Sequence, residues 1–452
     1  PPPPPPPPLQ AEDGIRDFLL SLVGSEMCIR DRVCELQPKL PNAWLNLGKC
    51  ASDLWLTQEA IRCYKKSIKL ARNDREKQLA LVNMCAVLID NGKFDEAEPY
   101  AHQVLEMDPD SVKARANLGF CQLANRNWKE GWANYHYALG SEWRPQNDYF
   151  GEPEWDGKPV DKLIVYAEQG IGDVIGFASM LPDAQKKAKQ IIFDCDAKLA
   201  GLMQRSFPDI KVYGSRTMKQ LPWAIEDTQD VDASIAIGQL GEFFRPTTES
   251  FPGTKYLTAD PDRVFMWKSL FKSKKKPVIG VSWRGGLIKT AAKHRQWDLE
   301  QLLPLFKSVD AHWVSLQYKP AGEEIAHFKA KHPEIDIVEY PHGTLTPDYD
   351  DTAAMVEAMD HLVCMQSAVT HLAGALGKSV WVFVPQCSQW RYGGDGSDYV
   401  WSKSVKIIRQ TTAGKWSEDI EQCAKDLGAK FAKRARANGQ RDYRQLQDRP
   451  SA

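Results

Sequence analysis

Four stretches of the chain bring ionisable or hydrogen-bonding side chains to small-residue turns. In VYAEQGIGDVIGFASMLP, Val165 to Pro182, an apolar run ends at Glu168 and Gln169, and Asp173 follows in a turn built on Gly170 and Gly172. In GVSWRGG the turn carries Arg284, and Lys289, Lys293 and Arg295 follow in a short basic loop. In MQSAVTHLAGALG, Ser367 precedes an apolar helical pattern whose first turn holds Thr370 and His371. WVSLQY ends on Gln317 and Tyr318. A carboxylate beside a helix N-terminus is favoured in its charged form, which suits it to accept a proton. The arginine fork matches phosphate oxygens. A helix capped by Ser367 offers the orphan N–H groups of Ala368 to Thr370 and the positive end of its dipole to a diphosphate. Each residue also has a plainer reading. Asp173 would cap its own helix, His371 would bond a loop carbonyl, and the basic loop would simply be solvated.

Those turns need elements to hold them. Short β-rich runs alternate with helical stretches from Leu163 onward. KLIVYAE, QIIFDCD, IKVYG and VDASIAIG form one set, and PVIGVSW, WVSLQY, IDIVEY, HLVCMQ, SVWVFVP and VKIIRQ form another. The basic, proline-terminated segment KSKKKP separates them and reads as a solvated linker. Such alternation predicts two parallel, doubly wound sheets, hence two lobes facing a cleft. Ligands of such sheets lie beyond the strand C-terminal ends, where these turns fall. QCSQWRYGGDG, following SVWVFVP, adds Trp390 and Arg391 to them.

Before the lobes the pattern is helical and repetitive. Trp44, Leu47, Gly48, Ala60 and Tyr64 open a motif whose second copy has Leu81, Met84, Gly92, Ala97, Ala101 and Pro109. A third has Leu118, Gly119, Gly131, Tyr135 and Ala138. Met84 to Leu118, Ala97 to Gly131 and Ala101 to Tyr135 are each 34 apart, while Ala60 to Ala97 is 37, which predicts an extended turn near Arg72 to Glu76. Over residues 33–140 the chain resembles the tetratricopeptide family, whose small residues allow paired helices to approach. The resemblance implies a protein or peptide partner in the groove of the repeats. Cys34 to Pro41 reads as the tail of a further repeat.

At 452 residues with a net charge of -1, the chain is long enough for several cores and has no global basic field pointing to nucleic acid. No apolar run of about 18 residues predicts a membrane span, and a cytoplasmic location is expected. The 10 cysteines lack paired C-x-x-C spacing and read as reduced thiols. Residues 1–32 open on eight prolines and contain AEDGIRD and MCIRDR, so this segment is expected to be disordered or artefactual.

The words WDGKPVDKLIVYAEQG, EQGIGDVIGFASMLP, YLTADPDRV, GVSWRGG, SLQY, DYDDTAAMVEAMDHLV and THLAGALGKSVWVFVP occur in one order. From Trp155 to Trp416 they resemble the glycosyltransferase domain of bacterial tetratricopeptide-repeat glycosyltransferases, related to the heptosyltransferases. That resemblance implies tetratricopeptide helical repeats followed by a GT-B fold of two Rossmann-like lobes. The expected parts are repeats over 33–145, an acceptor-side lobe over 155–260, a nucleotide-sugar lobe over 277–412, a helix over 413–438 crossing back onto the first lobe, and a frayed tail over 439–452. It implies hexosyl or heptosyl transfer from a nucleotide-diphosphate sugar, inverting and metal-independent, with no cofactor beyond that donor. Asp173 would be the base, and Glu168, Gln169, Gly170 and Gly172 would shape the acceptor-side turn. Arg284, Arg295, Gln317, Ser367, Thr370 and His371 would hold the donor. Asp348-Tyr349-Asp350 spells a D-x-D metal word, yet Asp350 or Asp351 reads better as a helix cap. Gln366 stands where related sequences commonly carry an acid, and WRY at 390–392 stands where WRW is expected. Gln366 keeps open a second reading, a repeat scaffold with a non-catalytic nucleotide-sugar-binding lobe. A third is a nicotinamide-dependent oxidoreductase. The glycines at 170, 172 and 176 are one residue longer than the dinucleotide fingerprint, and Asp194 and Asp196 follow at about the right distance.

Overall fold

The computed structural model describes residues 26–447 apart from 143, 217, 219–229 and 287–293, with side chains followed to residue 433. The chain divides into two compact units. One comprises the described residues to Ala138 together with Cys387–Gly394, and the other comprises Leu139–Gln386 with Asp395 onward.

The first unit is built of helix hairpins: α1 (Pro41–Asp53) with α2 (Thr57–Leu70), α3 (Asp74–Asp90) with α4 (Phe94–Met107), and α5 (Val112–Ala124) with α6 (Trp128–Tyr135). Ala60, Ala97 and Ala101 are buried, as close helix approach requires. A Cβ on Gly48 would lie 2.6 Å from the Tyr64 ring, and one on Gly119 would lie 2.5 Å from the Tyr135 amide nitrogen. The small residues of the motif are thus fixed by distance. At the extended turn Asn73 caps α3 by accepting from the Glu76 amide at 2.9 Å, while Glu76 accepts from the Arg72 amide at 2.8 Å. Residues 26–36 are helical, and Met27 and Cys34 pack with Leu47 and Cys63. The segment expected to be disordered or artefactual through residue 32 therefore contributes to a core from Met27 on.

The second unit holds two parallel sheets. In the first lobe β1 (Val160–Tyr166), β2 (Ala188–Asp194), β3 (Lys211–Tyr213) and β4 (Ala233–Ala236) lie in the order β3-β2-β1-β4. In the second lobe β5 (Val278–Ser282), β6 (His312–Ser315), β7 (Ile337–Glu339), β8 (His361–Met365), β9 (Val380–Val384) and β10 (Val405–Arg409) lie in the order β10-β9-β8-β5-β6-β7. Every described pairing in both sheets is parallel. The order reverses between β1 and β4 in one sheet and between β5 and β8 in the other, and a crevice opens at such points. The helices that matter below are α7 (Ile171–Phe177), α8 (Ala197–Ser206), α9 (Pro261–Lys272), α10 (Gly322–Lys331), α11 (Tyr349–Ala358), α12 (Ala368–Ala375) and α13 (Ser417–Gln447).

Three expectations are corrected. Through Ile420, Cys423, Leu427 and Phe431, α13 packs into the core of the second lobe with Trp297 and Phe383, rather than onto the first, because its apolar stripe matches that sheet's outer face. Its backbone stays helical to Gln447, past the expected fraying point. The cap of α11 is Asp348, whose carboxylate accepts from the Asp350 amide at 2.9 Å. Asp350 is instead buried against Arg205 of α8 at 2.7 Å, and Arg263 of α9 holds Asp348 and Asp351 at 2.8 and 2.7 Å. The D-x-D carboxylates are therefore spent on arginines that tie α8 and α9 to α11.

Candidate functional site

In the second lobe the strand ends at the β5–β8 reversal are pressed together. A Cβ on Gly285 would lie 2.2 Å from the Gln366 carbonyl oxygen and 3.2 Å from Ser367 Cβ, so only glycine fits where the turn after β5 meets the turn after β8. Gly286 has φ +82°, and a Cβ there would meet the Arg295 guanidinium at 1.9 Å. Arg295 is buried and returns over the turn on the far side of a short antiparallel bridge, Arg284 to Gln296. Lys289 and Lys293 lie outside the described residues. Gln317, with its amide oxygen toward the turn, accepts from the amides of Trp283 at 2.6 Å and Arg284 at 3.0 Å. Tyr318 donates to the Gly286 carbonyl at 3.0 Å. Both residues therefore shape the arginine turn. Arg284 reaches back to Glu324 in the first turn of α10, which also accepts from the Trp283 indole at 3.2 Å.

Ser367 occupies the cap position of α12, but its hydroxyl makes no capping hydrogen bond. The side-chain oxygens of Ser367 and Thr370 are buried with no hydrogen-bond partner. The Thr370 amide is used by the Ser367 carbonyl at 3.1 Å, which leaves Ala368 and Val369 as the orphan donors of this helix end. His371 does not extend the donor set in the expected way. Its Nδ1 is 2.7 Å from the Tyr399 hydroxyl, and its ring lies against the glycine face of α7.

The first-lobe turn faces that helix directly. A Cβ on Gly172 would lie 3.1 Å from Ala368 Cα and 3.1 Å from His371 Cδ2, and one on Gly176 would lie 3.6 Å from His371 Nδ1. The spacing Gly172-x-x-x-Gly176 is thus a helix-packing face that lets α7 approach α12. Asp173 sits in the first turn of α7, one residue from this contact, with its amide bonded to the Gly170 carbonyl at 2.9 Å. The structure so brings Asp173 and the Ser367–His371 helix end together.

Glu168 takes a different part. It is fully buried and paired with Arg144 at 3.1 Å, and Arg144 also donates to Gln239 at 2.7 Å and Gln169 to Glu168 at 3.0 Å. Arg216 donates to the Gln169 carbonyl. The crevice at the β1–β4 reversal, where a dinucleotide would lie, is filled by this ion pair. The two acids expected of an oxidoreductase are also engaged. Asp194 accepts from the Ser215 hydroxyl at 2.7 Å and the Tyr149 hydroxyl at 2.9 Å, with burial pushing its carboxyl up, while Asp196 caps α8.

Sequence reasoning missed Arg144, Glu324 and Tyr399, whose roles come from partners far along the chain and carry no local pattern. It also misplaced Trp390 and Arg391. This short turn belongs to the repeat unit, where Trp390 meets the edges of Trp132 and Tyr135 with ring centroids 5.6 Å apart in both cases. The Arg391 guanidinium stacks on Trp390 at 4.6 Å. Among the described residues no cluster of three or more metal-ligating side chains occurs, and no helix is long and apolar enough to cross a membrane.

Residues 41–74 and 88–131 match the tetratricopeptide repeat family. Protein FlbA of Caulobacter vibrioides is 28% identical over 411 residues, covering 86% of this chain and 67% of that protein. Among solved structures, ADP-heptose lipopolysaccharide heptosyltransferase II of E. coli is 13% identical, covers 61% of this chain and 99% of its own, and has a TM-score of 0.44. The glycosyl transferase family 9 protein of Veillonella parvula is 12% identical, with 63% and 98% coverage and a TM-score of 0.42. The O-GlcNAc transferase of Thermobaculum terrenum is 12% identical, with 92% and 88% coverage and a TM-score of 0.33. The strand orders and the helix hairpins carry the fold assignment independently of these likenesses. The chain thus carries tetratricopeptide repeats followed by two Rossmann-like lobes of parallel strands, the architecture of the GT-B fold.

Proposed function

We propose that the chain transfers a sugar from a nucleotide-diphosphate sugar to an acceptor hydroxyl, with inversion and without a metal. The observation that carries this reading is the pair of buried, unpartnered hydroxyls, Ser367 Oγ and Thr370 Oγ1, at the N-terminus of α12 and the β5–β8 reversal. A buried hydroxyl without a partner costs about 1–3 kcal/mol, and an anionic ligand at the helix end would offset it. The donor diphosphate would be met there by the amides of Ala368 and Val369 and by the two hydroxyls. Arg295 and Arg284 in the adjoining turn would add charge. The acceptor oxygen would attack the anomeric carbon while the bond to the diphosphate breaks, with the proton passing to Asp173 and the electron pair leaving on the diphosphate. The repeats would dock a protein or peptide that is, or brings, the acceptor, in the cytoplasm where nucleotide sugars serve as donors.

The test is thermal melting of the full chain with UDP, ADP, GDP and NAD(H). A diphosphate at 100-fold over its dissociation constant should stabilise by about 2.7 kcal/mol. Thr370→Val should abolish that shift while the unliganded protein still folds. A shift produced only by NAD(H), or one unchanged in Thr370→Val and Arg284→Ala, would end this reading. Nucleotide release with donor and acceptor, compared in wild type and Asp173→Asn, separates the enzyme from a binding scaffold. Equal rates remove Asp173 as the base, and binding without turnover favours the scaffold.

A further inference from the structure

The helix α9 is apolar on two faces, and only one of them is covered. Val264, Trp267 and Phe271 point into the protein, where the Trp267 ring stacks on His342 at 4.8 Å. On the opposite side Phe265 is 72% exposed, Met266 62% and Leu270 37%. Leu270 is one turn beyond Met266 and forms a row with it, and Phe265 stands beside that row on the outward side of the helix. Lys268 and Lys272 are exposed beside Phe265 on the same helix, and Lys275, also exposed, follows at its end. None of the three lysines forms an ion pair, whereas Lys276 is held by Asp310 at 2.6 Å. One acid, Asp262, shares the outer face. The run KSKKK thus starts at the last residue of a helix with an apolar crest and a basic flank.

We propose that α9 is a peripheral docking surface for an anionic phospholipid bilayer, with Phe265, Met266 and Leu270 entering the headgroup boundary and the lysines meeting lipid phosphates. A large aromatic and a thioether side by side in water are unusual for a surface whose other face already supplies the core contact. Apolar residues flanked by lysines on one helix face are the features by which interfacial helices bind anionic membranes. Charge decides among occupants. A second copy packed on the same face by a two-fold axis would set lysine against lysine, whereas an anionic bilayer complements them. The surface shares no residue with those proposed for sugar transfer, so either reading stands if the other fails.

The test is flotation of the full chain through a sucrose gradient with vesicles of phosphatidylcholine, or of equimolar phosphatidylcholine and phosphatidylglycerol, at low salt. The chain should float with the anionic vesicles and stay behind with the neutral ones. Lys268→Gln with Lys272→Gln should lower the partition coefficient about 30-fold, since each lysine near an anionic surface contributes about a factor of five. Phe265→Ser with Met266→Ser should lower it about 10-fold or more. Melting temperatures of both variants should match the wild type, because these side chains are exposed. Failure of the wild type to float, equal flotation with both vesicle types, or unchanged binding by either variant would overturn the proposal. So would a dimer in sedimentation equilibrium that Phe265→Ser abolishes, which would assign the face to a second copy.

Discussion

At the reversal in the first sheet, Glu168 is closed off by Arg144 and Gln239, with both charged side chains essentially inaccessible. At the reversal in the second sheet, the hydroxyls of Ser367 and Thr370 are equally buried but have no partner, and glycines bring an arginine turn against them. Two sheets of the same construction thus treat the same topological position differently. One fills it with its own ion pair and becomes a rigid support for the α7 turn. The other keeps hydrogen-bonding capacity in reserve. The lesson is that strand order marks where a ligand can lie, while the state of the polar groups there marks which of two such places is available.

The comparison breaks most readily at the ion pair. Arg144→Ala would leave Glu168 buried without its counter-charge and should destabilise the protein by about 3–5 kcal/mol in urea unfolding. Arg144→Met combined with Glu168→Leu should recover most of that loss. A single-variant loss no larger than that of an exposed pair, ~1 kcal/mol, would show that water reaches the crevice. Two buried groups, one in each lobe, should also respond to acid in opposite directions. His361 on β8 is buried, with Lys430 beside it, and is pushed down to about 3. The unfolded chain therefore binds the extra proton between about pH 6.5 and 3, and stability falls as pH is lowered, by up to roughly 1.4 kcal/mol per pH unit. Asp194 on β2 is pushed up by burial, so the native state takes up its proton first and gains stability as pH falls through that raised value. Unfolding across this range should show His361→Gln flattening the acid loss and Asp194→Asn removing the opposing gain. A steeper acid loss in His361→Gln would sink the assignment.

Smaller effects sharpen the contrast between the two glycine turns. Gly285→Ala places a methyl 2.2 Å from a backbone carbonyl and should cost about 1–3 kcal/mol. Gly170→Ala, whose methyl would meet only Asp173 Oδ2 at 3.5 Å, should stay within about 0.5 kcal/mol in the same unfolding measurement. Smallest of all, Thr370→Val removes an unpartnered hydroxyl and should leave the unliganded protein unchanged or about 1 kcal/mol more stable. A clear destabilisation would mean that the hydroxyl already has a partner in solution.

The ten β-rich runs each contain a strand, because β-branched segments buried on both faces announce themselves locally. The repeats were equally legible, since their glycines and alanines recur at fixed spacing. Ser367 and Thr370 could be picked out as the start of an apolar helix after a strand, but the use of His371 could not. Its partner Tyr399 lies in a loop with no periodicity, and the short Gly172–Gly176 face that receives the ring looked like part of a phosphate turn. Arg144 was illegible for the same reason. It sits in aperiodic sequence, and only folding reveals that its charge meets Glu168. Local pattern reports elements, whereas ion pairs and close approaches between distant segments are properties of the assembled chain.

Trp390 has a consequence for how this molecule can be cut and recombined. The repeat unit is discontinuous in sequence, because it takes Cys387–Gly394 from the connection between β9 and β10. A chain ending at Ala138 would lack the ring that meets Trp132 and Tyr135, and lobes expressed alone would present Trp390, Arg391 and Tyr392 to water, three side chains that are buried in the intact protein. Exchange of repeats between relatives is therefore a two-segment graft. A chimaera that swaps only the N-terminal helices inherits a mismatched plug, whereas one that carries residues 387–394 along keeps the seam intact.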